Sequence, residues 1–250
     1  MPFDLRAVLA QRHGENYALH QQLLNPQLAN VLQTLGFDHF YTRGEGCYLW
    51  DDRGERYFDT LAGFGVFALG RNHPAVKAAL HDALEADLPN LVQMDCALLA
   101  GLLAEQLVSR AHDGIERAVF TNSGAEAVEA AIKFARQATG RSRILYADHA
   151  FHGLTTGALA LNGSKGFQQG FGPLLPGASA VPFGDLDALR REAARGDVAA
   201  FVVEPIQGNG VFVAPDTYLR DAADLCHRHG ALLAIDEVQT GLGRTGTFFA

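Results

Sequence analysis

The amino-acid sequence predicts an α/β fold, a mostly parallel sheet covered by helices, preceded by a helical arm and a small β-meander. Three observations carry that expectation. From Ala118 onward, short apolar runs alternate with helix-length amphipathic stretches, the rhythm of parallel strands joined by crossover helices. A chain of 250 residues, 48% hydrophobic and 19% charged, holds enough apolar material for a large core. Further upstream, "GCYLWDDRGERYFDTLAG" places two aromatic-rich runs around Asp52, Arg53 and Gly54, which is hairpin-turn chemistry.

Taken in order, the first thirty-five residues scatter Leu and Val among Gln, His and Asn and read as a weakly amphipathic helical arm. After the hairpin, Gly63, Gly65 and Gly70 mark a loop. In "NHPAVKAALHDALEADLPN", Pro74 suits a first helical turn and the apolar residues fall at helical spacing; a second helix is expected over about 95–110. Strands are expected at Arg117–Phe120, Arg143–Ala147, Ala199–Glu204 and Ala231–Asp236. Helices are expected at Gly124–Ala138, Asp185–Ala194 and Asp216–His229, the last closed by Gly230 at a left-handed cap. No internal repeat or low-complexity segment interrupts this order.

Composition narrows the function. A net charge of −8 without a long basic block gives no electrostatic footprint for nucleic acid or an anionic membrane. The opening stretch carries Asp4 and soon turns polar, unlike a secretion signal, and no apolar run reaches membrane-spanning length, so a cytoplasmic protein is expected. Cys47, Cys96 and Cys226 lie far apart with no C-x-x-C, which favours reduced thiols over disulfides or a metal.

In a parallel sheet, ligands bind beyond the carboxyl ends of the strands. At the first such end, Ser123, Gly124 and Ala125 open a helix whose free N–H groups suit a phosphate, although Ser123 with Glu126 equally forms an ordinary capping box. At the second, Phe151 and His152 precede Gly153 in a loop, where the aromatic either packs or stacks on a flat ring. The third and fourth, "VVEPIQGNG" and "IDEV", belong to one βαβ unit, so Glu204 and Asp236 emerge side by side. Two carboxylates ending buried strands need cations or donors, and such groups gather at functional sites.

The glycines of "IDEVQTGLGRTG" match G-x-G-x-x-G at Gly241, Gly243 and Gly246. A dinucleotide loop turns directly into a helix and needs an acid about twenty residues later. Here Glu237, Val238, Gln239 and Thr240 intervene, and "TFFA" shows no helix start.

The strings "TNSGAEAVEAAIKFAR", "FHG", "VVEPIQG" and "IDEVQTGLGRTG", with "YLWDDRGERYFDTLAG" and "ALGRNHPAV" before them, resemble the class III aminotransferases, pyridoxal-phosphate enzymes of fold type I. The resemblance implies an amino-terminal segment over 1–62 belonging to a small domain, and the first part of an incomplete cofactor-binding large domain over 63–250. It implies that Ser123, Gly124 and Ala125 hold the cofactor phosphate. Phe151 would stack on the pyridine ring with Val238 opposite, His152 and Gly153 completing the motif of Phe151. Asp236 would pair with the pyridine nitrogen, Gln239 would reach the phenolic oxygen, and Glu204 would sit at the same edge, hydrogen-bonded toward Gln239. The reaction implied is amino transfer from an amine or amino acid to a 2-oxo acid by a homodimer, with an aminomutase or racemase as relatives of the same fold. The arm and the Gly63–Gly70 loop are the candidate interface.

Two departures follow. The family's Schiff-base lysine lies roughly thirty residues beyond the pyridine-pairing acid. These 250 residues stop fourteen after Asp236 and contain only Lys77, Lys133 and Lys165, none matching, so the isolated chain is expected to be an inactive fragment. Many members read "EPIQGEGG", with the second acid engaging an arginine switch, whereas Asn209 stands here, which implies a donor or acceptor outside the usual pairing.

Overall fold

The structure, a computed structural model, describes residues 3–89 and 92–250; Met1, Pro2, Asn90 and Leu91 lie outside the described residues. It divides into two units, Met1–Asn90 and Leu91–Ala250. In the first, α1 (Leu5–Gln11), α2 (Asn16–Leu19), a π-helical turn over His20–Leu24 and α3 (Pro26–Thr34) form the expected arm. Asp4 and Asn25 cap α1 and α3 by accepting the N–H of Ala7 and Leu28, as short polar N-caps do.

The antiparallel meander follows: β1 (Tyr41–Glu45), β2 (Tyr48–Asp51) and β3 (Arg56–Phe58). The sequence signals gave β2 and β3 but not β1, whose run contains Thr, Arg, Gly and Glu. The buried Asp51 carboxylate builds the turn by accepting the N–H of Arg53 and Glu55 and the hydroxyl of Tyr57. Gly54 sits at φ +80, where a side chain would be strained. Residues 63–89, including α4 (Pro74–Glu85), stay with this unit, tied back by paired backbone hydrogen bonds between Gly46 and Arg71. This is a division by contact, distinct from the functional boundary expected at 62.

In the second unit, α5 (Leu98–Val108) precedes a four-stranded parallel sheet in the order β5-β4-β6-β7. Its strands are β4 (Arg143–Ala147), β5 (Ala178–Val181), β6 (Val198–Val203) and β7 (Leu232–Ile235). The helices are α6 (Gly124–Thr139), the short α7 (Thr156–Ala160) and α8 (Lys165–Gln168), α9 (Leu186–Ala193) and α10 (Tyr218–Arg228). Alternation along the strands divides the core into two layers. Leu145, Phe201 and Val203 pack with Leu189 of α9 and Leu225 of α10, while Ile144, Ala200 and Val202 pack with Val128 and Ile132 of α6. Every residue of β6 is buried, as a central parallel strand requires.

Arg117–Phe120 is not a strand, a correction to the sequence expectation. A strand exists through its ladder, and this segment has no ladder partner among the described residues; Val119 and Phe120 remain exposed. The sequence signals also missed β5, whose Ala-Ser-Ala-Val run has only one bulky residue.

Candidate active site at the carboxyl edge of the parallel sheet

β4 connects onward to β5 on one side, and β6 to β7 on the other. The carboxyl ends of the adjacent strands β4 and β6 therefore form a topological switch point, the crevice where open α/β sheets bind ligands. The candidate residues meet around it.

Val203 pairs with Ile235 in register, so Glu204 and Asp236 leave the sheet side by side, as the βαβ reading required. The buried Glu204 carboxylate spans two loops, accepting the N–H of Phe151 at 3.0 Å and of Gly208 at 2.9 Å. These bonds replace the contact with Gln239 expected from the resemblance: backbone amides already lie in place, whereas Gln239 is exposed and its side chain faces Gly208. Burial pushes the Glu204 carboxyl above its usual range; the two N–H groups oppose that shift only in part.

Asp236 receives two donors. Its Oδ2 lies 2.7 Å from His152 Nδ1 and its Oδ1 accepts the N–H of Val238 at 3.1 Å. The His152 side chain is fully buried, and its Nε2 has no hydrogen-bond partner. Glu204, His152 and Asp236 thus form one buried polar cluster, joining the ends of β4, β6 and β7.

Beside it, Ser123 caps α6 by accepting the N–H of Glu126, whose carboxylate reaches back to the N–H of Asn122. The capping reading is therefore realised, yet it leaves the N–H groups of Gly124 and Ala125 without acceptors among the described residues. Both residues are closely fitted. A Cβ on Gly124 would meet Val238 Cγ2 at 2.9 Å, and one on Gly153, at φ +125, would meet Ala125 Cβ at 2.6 Å. The start of α6, the Phe151 loop and the segment after β7 consequently adjoin. A cavity of about 160 Å³ lined by Gly124, Val128, Val202, Asp236 and Val238 lies along α6.

Phe151 is half-buried and meets Phe167 edge-on, with ring centroids 5.3 Å apart. Val238 and Gln239 are exposed. Lys133 and Lys165 lie on α6 and α8, and Lys77 on α4 of the amino-terminal unit.

Sequence reasoning missed three residues that brace these loops. Glu129 Oε1 accepts the Thr155 hydroxyl and the N–H groups of Gly157 and Ala158. Gln207, fully buried, donates to the carbonyl of Asp148 at 2.6 Å. Asn162, 1% exposed, bonds both His152 and Gly153. A buried amide interrupting the apolar run "ALALNG" was the available signal for Asn162.

Comparison with known proteins gives the architecture its family. The model of aminotransferase class-III matches residues 32–250. The chain belongs to the class III aminotransferases. It is 40% identical over 248 residues to Aminotransferase PigE of Serratia sp., covering 98% of this chain and 29% of that protein. It is 44% identical over 211 residues to an acetylornithine aminotransferase of Methanopyrus kandleri, covering 83% of this chain and 53% of that one. Among solved structures it resembles an amine transaminase from an uncultivated Pseudomonas species in its PLP-bound form, with a TM-score of 0.75, 30% identity and coverage of 84% and 54%. The chain spans about half the length, or less, of these class III aminotransferases, a family that works with pyridoxal phosphate. Among the described residues no helix is long and apolar enough to cross a membrane.

Proposed function

We propose that this chain supplies the cofactor-holding part of a pyridoxal-phosphate-dependent transaminase, which moves an amino group from an amine or amino-acid donor to a 2-oxo acid. The observation that carries this reading is the buried pairing of His152 with Asp236 at 2.7 Å beside the open start of α6. The residues fit the group. Two unpaired N–H groups at the positive end of a sixteen-residue helix suit a phosphate, and a doubly bonded carboxylate suits a protonated ring nitrogen.

When bound, pyridoxal phosphate supplies an electron-withdrawing ring that stabilises negative charge at the substrate carbon. Gly124 and Ala125 hold the phosphate through their N–H groups, with the Ser123 hydroxyl at the same helix start. Asp236 keeps the pyridine nitrogen protonated, and His152 fixes the orientation of that carboxylate. Phe151 and Val238 bound the two ring faces, Gln239 takes the phenolic oxygen, and Glu204 holds the loops of Phe151 and Gly208 at the right separation.

Lys77, Lys133 and Lys165 stand on helices. None matches the family's lysine position, so turnover requires a lysine from outside residues 1–250, and after dialysis these residues alone retain no borohydride-sensitive visible band from pyridoxal phosphate. Asn209 is neutral and exposed, so no carboxylate there engages an arginine, and the substrate pair differs from ω-amino acid with 2-oxoglutarate. The proposed homodimer contact is the amino-terminal arm with the Gly63–Gly70 loop, where Phe64, Val66 and Leu69 stand 78%, 69% and 69% exposed.

The test is amino transfer by the complete protein across a panel of amines and 2-oxo acids. Asp236→Ala should lose roughly a hundredfold or more in rate, the scale of removing a preorganised electrostatic partner. Unchanged turnover in that variant would refute the assignment.

A further inference from the structure

The loop carrying Phe151 and His152 lies outside the regular ladder, yet His152 must present Nδ1 to Asp236 at 2.7 Å. Backbone groups in such a loop need partners: the Phe151 N–H goes to Glu204, while the His152 N–H and the Gly153 carbonyl both go to one side chain. Asn162 Oδ1 accepts the N–H of His152 at 2.7 Å, and its Nδ2 donates to the carbonyl of Gly153 at 2.9 Å. One carboxamide thus closes on both sides of the His152–Gly153 peptide, using its acceptor on one residue and its donor on the next.

Asn162 is itself held. It is 1% exposed, its N–H bonds the carbonyl of Leu159 at 3.1 Å, and its carbonyl accepts Gln168 Nε2 at 2.9 Å. The following residue, Gly163, donates its N–H to the carbonyl of Ala150 at 2.8 Å, fastening the Asn162 turn to the other end of the same loop. The buried amide therefore reaches the Phe151 loop from a rigid base, the condition for fixing a functional side chain closely.

We propose that Asn162 is a positioning residue, setting the orientation of His152 toward Asp236 and thereby the grip on the cofactor ring nitrogen. The first half stands on this chain's own geometry; the second rests on the reading of the site given above. Asn162 touches neither the reacting atoms nor Asp236 and acts through the His152 backbone.

The two bonds of the amide allow a separation between positioning and plain stabilisation. Asn162→Ala removes both. Asn162→Asp keeps an acceptor for the His152 N–H but turns a second oxygen toward the Gly153 carbonyl, so it weakens the fold while preserving the positioning bond.

The experiment is ¹⁵N–¹H NMR of the imidazole of His152 without cofactor, assigned with His152→Gln, alongside thermal unfolding and a titration with pyridoxal 5′-phosphate. Both variants should melt below the wild type. The hydrogen-bonded Nδ1–H signal should vanish in Asn162→Ala and persist in Asn162→Asp, with cofactor affinity falling roughly tenfold only in the former, as for loss of one positioned hydrogen bond. Retention of the signal in folded Asn162→Ala would overturn the proposal. Its loss from both variants in step with melting temperature would also overturn it, reducing Asn162 to a stabilising role. If wild type and variants bind no pyridoxal phosphate while the imidazole signals differ as stated, the cofactor reading fails and the positioning of His152 stands.

Discussion

The parallel-sheet region and the amino-terminal unit contain apolar residues in comparable abundance but bury them very differently. Between Val128 and Ala231 the chain closes two layers over a sheet whose central strand is wholly buried. Among the described residues of the amino-terminal unit, only Ala29 and Asp51 are buried, while Leu80 and Leu84 of α4 stand 61% and 79% exposed. The difference is one of pattern and partners. Period-two strands and helices with one apolar stripe satisfy each other locally, whereas short helices and a three-stranded meander present apolar faces with nothing of their own to cover them.

The sharpest way to break this comparison is a pair of truncations. Phe201→Ala removes a ring from a fully buried site and should cost about 3–5 kcal/mol. Leu84→Ala, at an exposed site, should change stability by no more than about 0.5 kcal/mol. Chemical denaturation of this chain measures both, and equal costs would show that the two regions do not differ as described.

A smaller effect tests the close approach of loop and helix. Gly153→Ala places a Cβ 2.6 Å from that of Ala125 at φ +125, and should cost about 1–3 kcal/mol through strain. Gly243→Ala has positive φ but nothing within 4 Å, and should cost about 1–2 kcal/mol, from backbone strain alone. A melting temperature lowered more by Gly243→Ala than by Gly153→Ala would contradict the packing of the Phe151 loop on α6.

The smallest expected effect is pH dependence at Glu204. Burial raises its folded-state value above the usual 4.5, so folding favours the protonated acid. The stabilisation from Glu204 is complete below that usual value and is lost as pH rises through the raised one. Unfolding curves of wild type and Glu204→Gln, taken from mildly acidic to neutral pH, should differ in slope, with the variant flatter. Parallel profiles would remove the carboxyl from the account.

Much of the site was legible because its chemistry is local. Ser123, Gly124 and Ala125 announce a helix start, and Glu204 and Asp236 each end an apolar run, so a βαβ reading alone set them side by side. The strand expected at Arg117–Phe120 failed because a strand needs a neighbour that an apolar run does not reveal. The His152–Asp236 pair was invisible because 84 residues separate the partners and nothing in either string encodes the other. Asn162 was hidden for the related reason that it serves backbone groups, which carry no residue identity.

The central claim is that the carboxyl edge of the parallel sheet, and not the amino-terminal unit, holds pyridoxal phosphate. Amide hydrogen exchange with and without pyridoxal 5′-phosphate tests it most directly. The account predicts new protection in four segments, 123–126, 150–153, 204–208 and 236–239, with none over 3–89. Unchanged exchange in all four segments, or protection confined to the amino-terminal unit, would contradict it.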